Sequence, residues 1–175
     1  MTVTIYGSAT STCTKRVLVT CHEIGVEYKV VPVDLMKLEH KDPVWIETMN
    51  PFGAVPVLVD ADGTQIYESR AIARYLVAKY SPNSSLLPSP TDPKAYGLFE
   101  QAESIEYSSF DPPAIAIYEE QIWAWIKKRD VNAELIEKYR NTLLDRLKGY
   151  ERILSKQKYL AGDVGFGPFA RTYDS

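Results

Sequence analysis

A thirteen-residue stretch, SPNSSLLPSPTDP (81–93), carries four prolines and four serines and separates two halves of the chain with different hydrophobic periods. Proline lacks the N–H that a helix interior or central strand needs, and serine side chains compete for backbone bonds, so the stretch neither continues a helix nor buries much surface. Upstream of it strand and helix patterns alternate, and downstream the pattern is helical. A chain punctuated in this way folds as two domains, 1–80 and 94–175, joined by a linker at 81–93.

In the first half, Val3-Thr4-Ile5-Tyr6 reads as a short apolar strand, and Thr12 to Gly25 as a helix with Val17, Leu18, Cys21 and Ile24 on one face and Gly25 as its C-cap. YKVVPVDL (28–35) is strand-like, and HKDPVWIETM (40–49) is a short helix or helical turn interrupted early by Pro43. VPVLVD (55–60) and TQIYE (64–68) flank Asp62-Gly63, a strong hairpin signal. SRAIARYLVAKY (69–80) closes the half as a helix started by Ser69, with Ile72, Tyr75, Leu76 and Tyr80 at helical spacing. The resulting βαβαββα order predicts an α/β layer of thioredoxin-like type. The second half is all-α, with helical patterns at 94–129 and 133–158; Asp111-Pro112-Pro113 bends or breaks the first of them, and VGFGPFARTYDS (164–175) has no helical period.

Charge and composition narrow the function classes. With 20 Lys+Arg against 23 Asp+Glu and a net charge of −3, the chain has no basic stripe for a polyanion, so no nucleic-acid partner is expected. No apolar run approaches the roughly 20 residues of a membrane span, and the N-terminus lacks the basic and apolar regions of a secretory signal, so no membrane is expected and the cytoplasm is the simplest address. Cys13 and Cys21 are too few for a disulfide framework or zinc site and read as free thiols in a reducing compartment; no metal is expected.

Four stretches in order, STCTKRVL (11–18), VDLMKLEHKDP (33–43), NPFGAVPVLVD (50–60) and YESRAIARYLVAKY (67–80), resemble the signature of a glutathione S-transferase, nearest the serine-type phi-like class of plants and fungi. The resemblance extends to about residue 163. It implies a cytosolic, homodimeric enzyme that conjugates glutathione, its co-substrate, to small hydrophobic electrophiles, or reduces organic hydroperoxides with it, with no bound cofactor. Its catalytic residue is implied to be Ser11, whose hydroxyl at a helix N-terminus can donate to the substrate thiolate and so favour the charged, nucleophilic form. Thr10 and Thr12 stand near enough to share or replace that donation.

For the rest of glutathione the resemblance implies Thr12, Ala54, Val55, Pro56, His40, Lys41, Glu68 and Ser69. A cis-proline at Val55-Pro56 would turn the main chain of Val55 toward the cysteinyl unit. Glu68 and Ser69 sit at a strand-to-helix junction suited to the γ-glutamyl ammonium and carboxylate. His40 and Lys41 are implied to meet the glycyl carboxylate. Ala54 departs from the pattern, which usually has glutamine there, and removes one side-chain hydrogen bond to the tripeptide.

Less is specified on the acceptor side. An apolar cleft between the domains is expected, with Thr10, Phe110 and Ile117 as its candidates and Tyr107 and Tyr118 as alternatives. Phe52, in an exposed Asn-Pro-Phe-Gly loop, resembles the aromatic key of phi-like dimers. Two other readings compete: a non-catalytic carrier of glutathione adducts or hydrophobic ligands, and a thiol transferase using Cys13 in the first turn of the helix. Finally, Tyr159-Leu160-Ala161-Gly162-Asp163 leads in the family into a further capped helix, whereas Val164-Gly165-Phe166-Gly167-Pro168 follows here. The expectation is a helical domain truncated after about residue 163, with apolar faces left uncovered.

Overall fold

The computed structural model describes residues 2–162, and the expectations for an irregular terminus and a truncation after about residue 163 lie outside the described residues. The chain divides into two compact units, residues 2–87 and 88–162 of those described.

In the first unit, β1 (Val3–Gly7) alternates buried and half-buried residues and is one of the two inner strands of a four-stranded mixed sheet. It pairs in parallel with β2 (Tyr28–Pro32) and antiparallel with β3 (Val57–Val59), which in turn pairs antiparallel with β4 (Gln65–Tyr67). A parallel neighbour requires a crossover, and α1 (Thr12–Glu23) supplies it. Ile24 is the C-cap of α1, and Gly25 follows at φ +67°, the left-handed geometry that a glycine adopts without a Cβ clash. Pro43 does not interrupt a helix as expected: it begins one, α2 (Pro43–Thr48), because its missing N–H would be unpaired in the first turn anyway. Asp42 caps that turn by accepting from Val44 N–H at 2.8 Å, and a 3₁₀ turn (Glu39–Lys41) precedes it. The hairpin closes at Asp62-Gly63 with Gly63 at φ +85°, and α3 (Ser69–Tyr80) follows.

Helices α1 and α3 pack together over the sheet, and Val3, Ile5, Val17, Cys21, Leu58, Ile72 and Leu76 form a fully buried cluster. Burial pushes the Cys21 thiol up to about 11, so this cysteine belongs to the core, as its place on the apolar face of α1 suggests. At the edge of the cluster the Asp60 carboxylate, 4% exposed, accepts from Tyr75 Oη at 2.5 Å, Tyr80 Oη at 2.5 Å and Lys79 Nζ at 2.7 Å, tying the end of β3 to the last turns of α3.

The second unit holds α4 (Pro93–Ile105), α5 (Asp111–Ile126) and α6 (Ala133–Leu154). Asp92 and Asn132 cap α4 and α6 through their side-chain oxygens. The break expected at Asp111-Pro112-Pro113 takes the form of a five-residue π-helical turn (Glu106–Phe110). Pro112 and Pro113 have no N–H to offer the carbonyls one turn earlier, so the helix widens, and Asp111 N–H reaches back to the Glu106 carbonyl instead. The α5–α6 corner is held by Glu120, which accepts from both terminal nitrogens of Arg129 at 2.6 and 2.9 Å and from the Asn132 N–H at 2.7 Å. Among the described residues no helix is long and apolar enough to cross a membrane.

Candidate active site

Strand register decides which loops meet. Tyr6 stands opposite Val57, Val57 opposite Tyr67, and Gly7 opposite Pro32, so the chain leaves β1, β2 and β4 and enters β3 at one end of the sheet. That end therefore collects the turn carrying Ser11, the segment running to His40 and Lys41, the Val55-Pro56 peptide and the Glu68-Ser69 junction. Four stretches far apart in sequence become neighbours through three strand pairings.

Ser11 is the N-cap of α1, in extended geometry, and its hydroxyl oxygen accepts from the Thr14 N–H at 3.2 Å. Capping and thiolate stabilisation do not compete, because the cap uses a lone pair of the oxygen and leaves its proton free to donate. The side chain is half-buried, with Thr10 and Thr12 exposed on either side. Thr10 Oγ1 is engaged at 2.9 Å with Ser8 Oγ. Cys13 is half-buried, 3.9 Å from Arg16 Nη1.

The Val55-Pro56 peptide is cis. Its loop is shaped from below by Asn50, 1% exposed, which donates from Nδ2 to the Ala54 carbonyl at 3.1 Å and accepts from the Phe52 N–H at 3.0 Å. Val55 and Ala54 are half-buried at the surface of this loop, and Phe52 is 71% exposed with its ring edge-on to Tyr67.

Glu68 occupies φ +70° and is itself the N-cap of α3, without a side-chain bond to the helix, so Ser69 is the first helical residue rather than the cap expected of it. The first N–H groups of α3 thus lack a side-chain cap and face the end of the helix, the arrangement that receives a carboxylate. Ser69 is buried, and its Oγ accepts from Arg16 Nη1 at 2.7 Å.

The segment after β2 brings His40 and Lys41 against the same loop: a Cβ at Gly53, whose φ is +57°, would lie 2.9 Å from the His40 carbonyl oxygen and 3.1 Å from Lys41 Cδ. Burial, and then the neighbouring Lys41 charge, hold the His40 imidazole below its ordinary pKa, so at neutral pH the formal charge here is that of Lys41. Lys41 Nζ donates to the Phe52 carbonyl at 3.5 Å. His40 Nδ1 is buried without a hydrogen-bond partner.

On the second unit, Phe110 is half-buried with its ring edge-on to Tyr150 at 6.2 Å, Ile117 is half-buried, and Tyr107 and Tyr118 are exposed. Among the described residues no group of histidines, cysteines and carboxylates has the makings of a metal site. Reading the sequence misses Thr14, Arg16 and Asn50, whose roles come from partners brought by the fold. Only the Asn-Pro-Phe-Gly turn signal could have pointed to Asn50.

Comparison with known proteins joins this geometry to a family. Residues 10–79 match the family model for the glutathione S-transferase N-terminal domain. Over 163 residues the chain is 64% identical to the glutathione S-transferase PM239X14 of Arabidopsis thaliana, a match covering 93% of this chain and 75% of that protein. Glutathione transferase F7 of Populus trichocarpa has the same fold with a TM-score of 0.85 at 32% identity, covering 94% of this chain and 76% of its own. Maize glutathione S-transferase I, solved with an atrazine glutathione conjugate, gives a TM-score of 0.81 at 28% identity, covering 93% of this chain and 74% of its own. The chain thus spans about three quarters of the relatives it matches, and it belongs to the glutathione S-transferase family, beside the F-type phi members of plants.

Proposed function

We propose that this protein transfers glutathione to small hydrophobic electrophiles, with the Ser11 hydroxyl as donor to the glutathione thiolate. The observation that carries the reading is the half-used Ser11 oxygen: Thr14 N–H fills one lone pair and leaves the O–H for the ligand, at the positive end of a twelve-residue helix. A thiol of ordinary pKa near 8.5 is mostly protonated at neutral pH, so a donor that favours the anion raises the reactive fraction. The anion then attacks the electrophilic carbon, a carbon–sulfur bond forms, and the leaving group departs with its electron pair.

Val55 offers its main chain to the cysteinyl unit beside Pro56. Ser69, with its oxygen already accepting from Arg16, donates its proton to the γ-glutamyl carboxylate, and Glu68 accepts from the γ-glutamyl ammonium. Lys41, with neutral His40 beside it, supplies the cation for the glycyl carboxylate, and Thr12 and Ala54 complete the contacts. Thr10, Phe110 and Ile117 are the residues to vary for electrophile choice. Phe52, at 71% exposure, gains burial in a homodimer, and the site of action is the cytoplasm.

The test is conjugation to a generic aryl halide across pH by this chain and by Ser11→Ala. The expected result is a loss of about 10²-fold in rate on removing the donor, with the apparent thiol pKa moved upward. Turnover unchanged in Ser11→Ala but lost in Cys13→Ser disulfide assays would replace this reading by the thiol transferase. Tight adduct binding without turnover in the unaltered chain would replace it by the carrier.

A further inference from the structure

Thr14 is 0% exposed, on the inner side of the first turn of α1, where a valine of the same shape would fill the space without bringing a hydroxyl into the core. Its side-chain oxygen and its N–H both serve the turn that presents Ser11. Thr14 Oγ1 accepts from the Ser8 N–H at 3.3 Å, Thr14 N–H donates to Ser11 Oγ at 3.2 Å, and Ser11 N–H donates to the Ser8 carbonyl at 3.0 Å. The turn from Ser8 to Ser11 is therefore clasped at both ends by one residue. Gly7 makes the clasp possible, since a Cβ there would lie 2.6 Å from Thr14 Oγ1 and 2.7 Å from its methyl carbon. The last residue of β1 is a glycine because the threonine needs its space.

We propose that Thr14 is a positioning residue for the thiolate donor, fixing Ser11 through the Ser8 N–H on one side and the Ser11 oxygen on the other. The inference rests on the reading of Ser11 as that donor. With its oxygen held by Thr14 N–H, Ser11 directs its proton over a narrow range of angles. When Oγ1 is lost, the Ser8 N–H has no acceptor, the turn relaxes, and the hydroxyl loses its aim. Misplacement of a reacting group by an ångström costs up to about 10²-fold in rate, so a loosened turn is expected to show in catalysis before it shows in folding.

The experiment titrates the ultraviolet absorbance of the thiolate of bound glutathione, and measures aryl halide kinetics, in the full chain and in Thr14→Val, Thr14→Ser and Ser11→Ala. For Thr14→Val the bound thiol pKa is expected to rise by about one unit, with kcat falling about tenfold at a fixed pH below that pKa and KM for glutathione little changed. Thr14→Ser keeps the oxygen and is expected to stay within about threefold of the unaltered chain. If Thr14→Val does not fold, Thr14→Cys, of similar size and a much weaker acceptor, is expected to move the same two quantities in the same direction. A Thr14→Val protein that titrates like the unaltered chain while Ser11→Ala is shifted overturns the positioning role alone. Equal impairment of Thr14→Ser and Thr14→Val also overturns it, since the methyl packing would then be responsible. A Ser11→Ala protein with an unmoved thiol pKa overturns the donor reading, and the role of Thr14 with it.

Discussion

The two units bury their apolar residues to very different extents. In the first, a sheet covered by α1 and α3 takes Ile5, Leu58, Ile72 and Leu76 to 0% exposure; in the second, three helices leave Trp125 at 71%, Leu144 at 48% and Trp123 at 47%. Yet among the described residues each unit carries one buried, multiply bonded carboxylate, Asp60 in the first and Glu120 in the second. The contrast teaches that the two units are held by different means. A sheet layer has enough closed interior for the hydrophobic term to dominate, whereas the described helical residues depend more on caps and on the Glu120–Arg129 corner.

Substitutions can break or sharpen that contrast. The largest effect is expected from Leu58→Ala, which opens a cavity in the closed core of the first unit and lowers unfolding stability by about 3–5 kcal/mol in a denaturant titration. Next comes Asp60→Asn, which removes the charge that Lys79, Tyr75 and Tyr80 all serve; a loss of about 2–3 kcal/mol is expected by the same measurement.

The carboxylates also set the response to acid. Burial by itself would raise the Asp60 carboxyl, but the bonds from Lys79, Tyr75 and Tyr80 outweigh it and hold the group well below the usual range. The Arg129 bond, with Asn132 N–H behind it, holds Glu120 at about 2 against an ordinary 4.5. Both folded values lie below the unfolded ones, so the unfolded chain binds more protons in between. Their contributions are full above about pH 4.5 and shrink as pH falls toward 2. Glu120→Gln is expected to flatten this acid limb for a probe in the second unit, such as its tryptophan fluorescence, and to leave the limb of the first unit in place. A common shift of both limbs would show that the units unfold as one. The smallest effect is expected for Trp125→Ser, within about 0.5 kcal/mol by thermal melt, because little is buried there to lose.

Much of the first unit is legible in the sequence because its signals are local. Alternating apolar residues, Asp62-Gly63 and the run from Ser69 to Tyr80 each report on their own neighbourhood. Pro43 misleads because the same missing N–H that stops a helix also suits its first position, and the side chain that decides between them belongs to Asp42. The π-helical turn at 106–110 is a compromise between two prolines and a helix that continues on both sides, and no period announces it. At the site, Ser11, Val55 and Ser69 stand in recognisable motifs. Thr14 and Arg16 look like ordinary members of a helix until Gly7 and Ser69 are brought beside them.

The antiparallel pairing of β1 with β3, Tyr6 against Val57, has a further consequence. It works as a vernier between two parts of the candidate site: slipping it by two residues would preserve which side chains face the core, yet carry Val55 about 7 Å along the sheet relative to Ser11. Burial of Val57 and Leu58, both at 0% exposure, holds the register even though the strand is only three residues long. Gly7, with no room for a side chain beneath Thr14, and Asn50, gripping the loop before β3, set the end-stops of that scale.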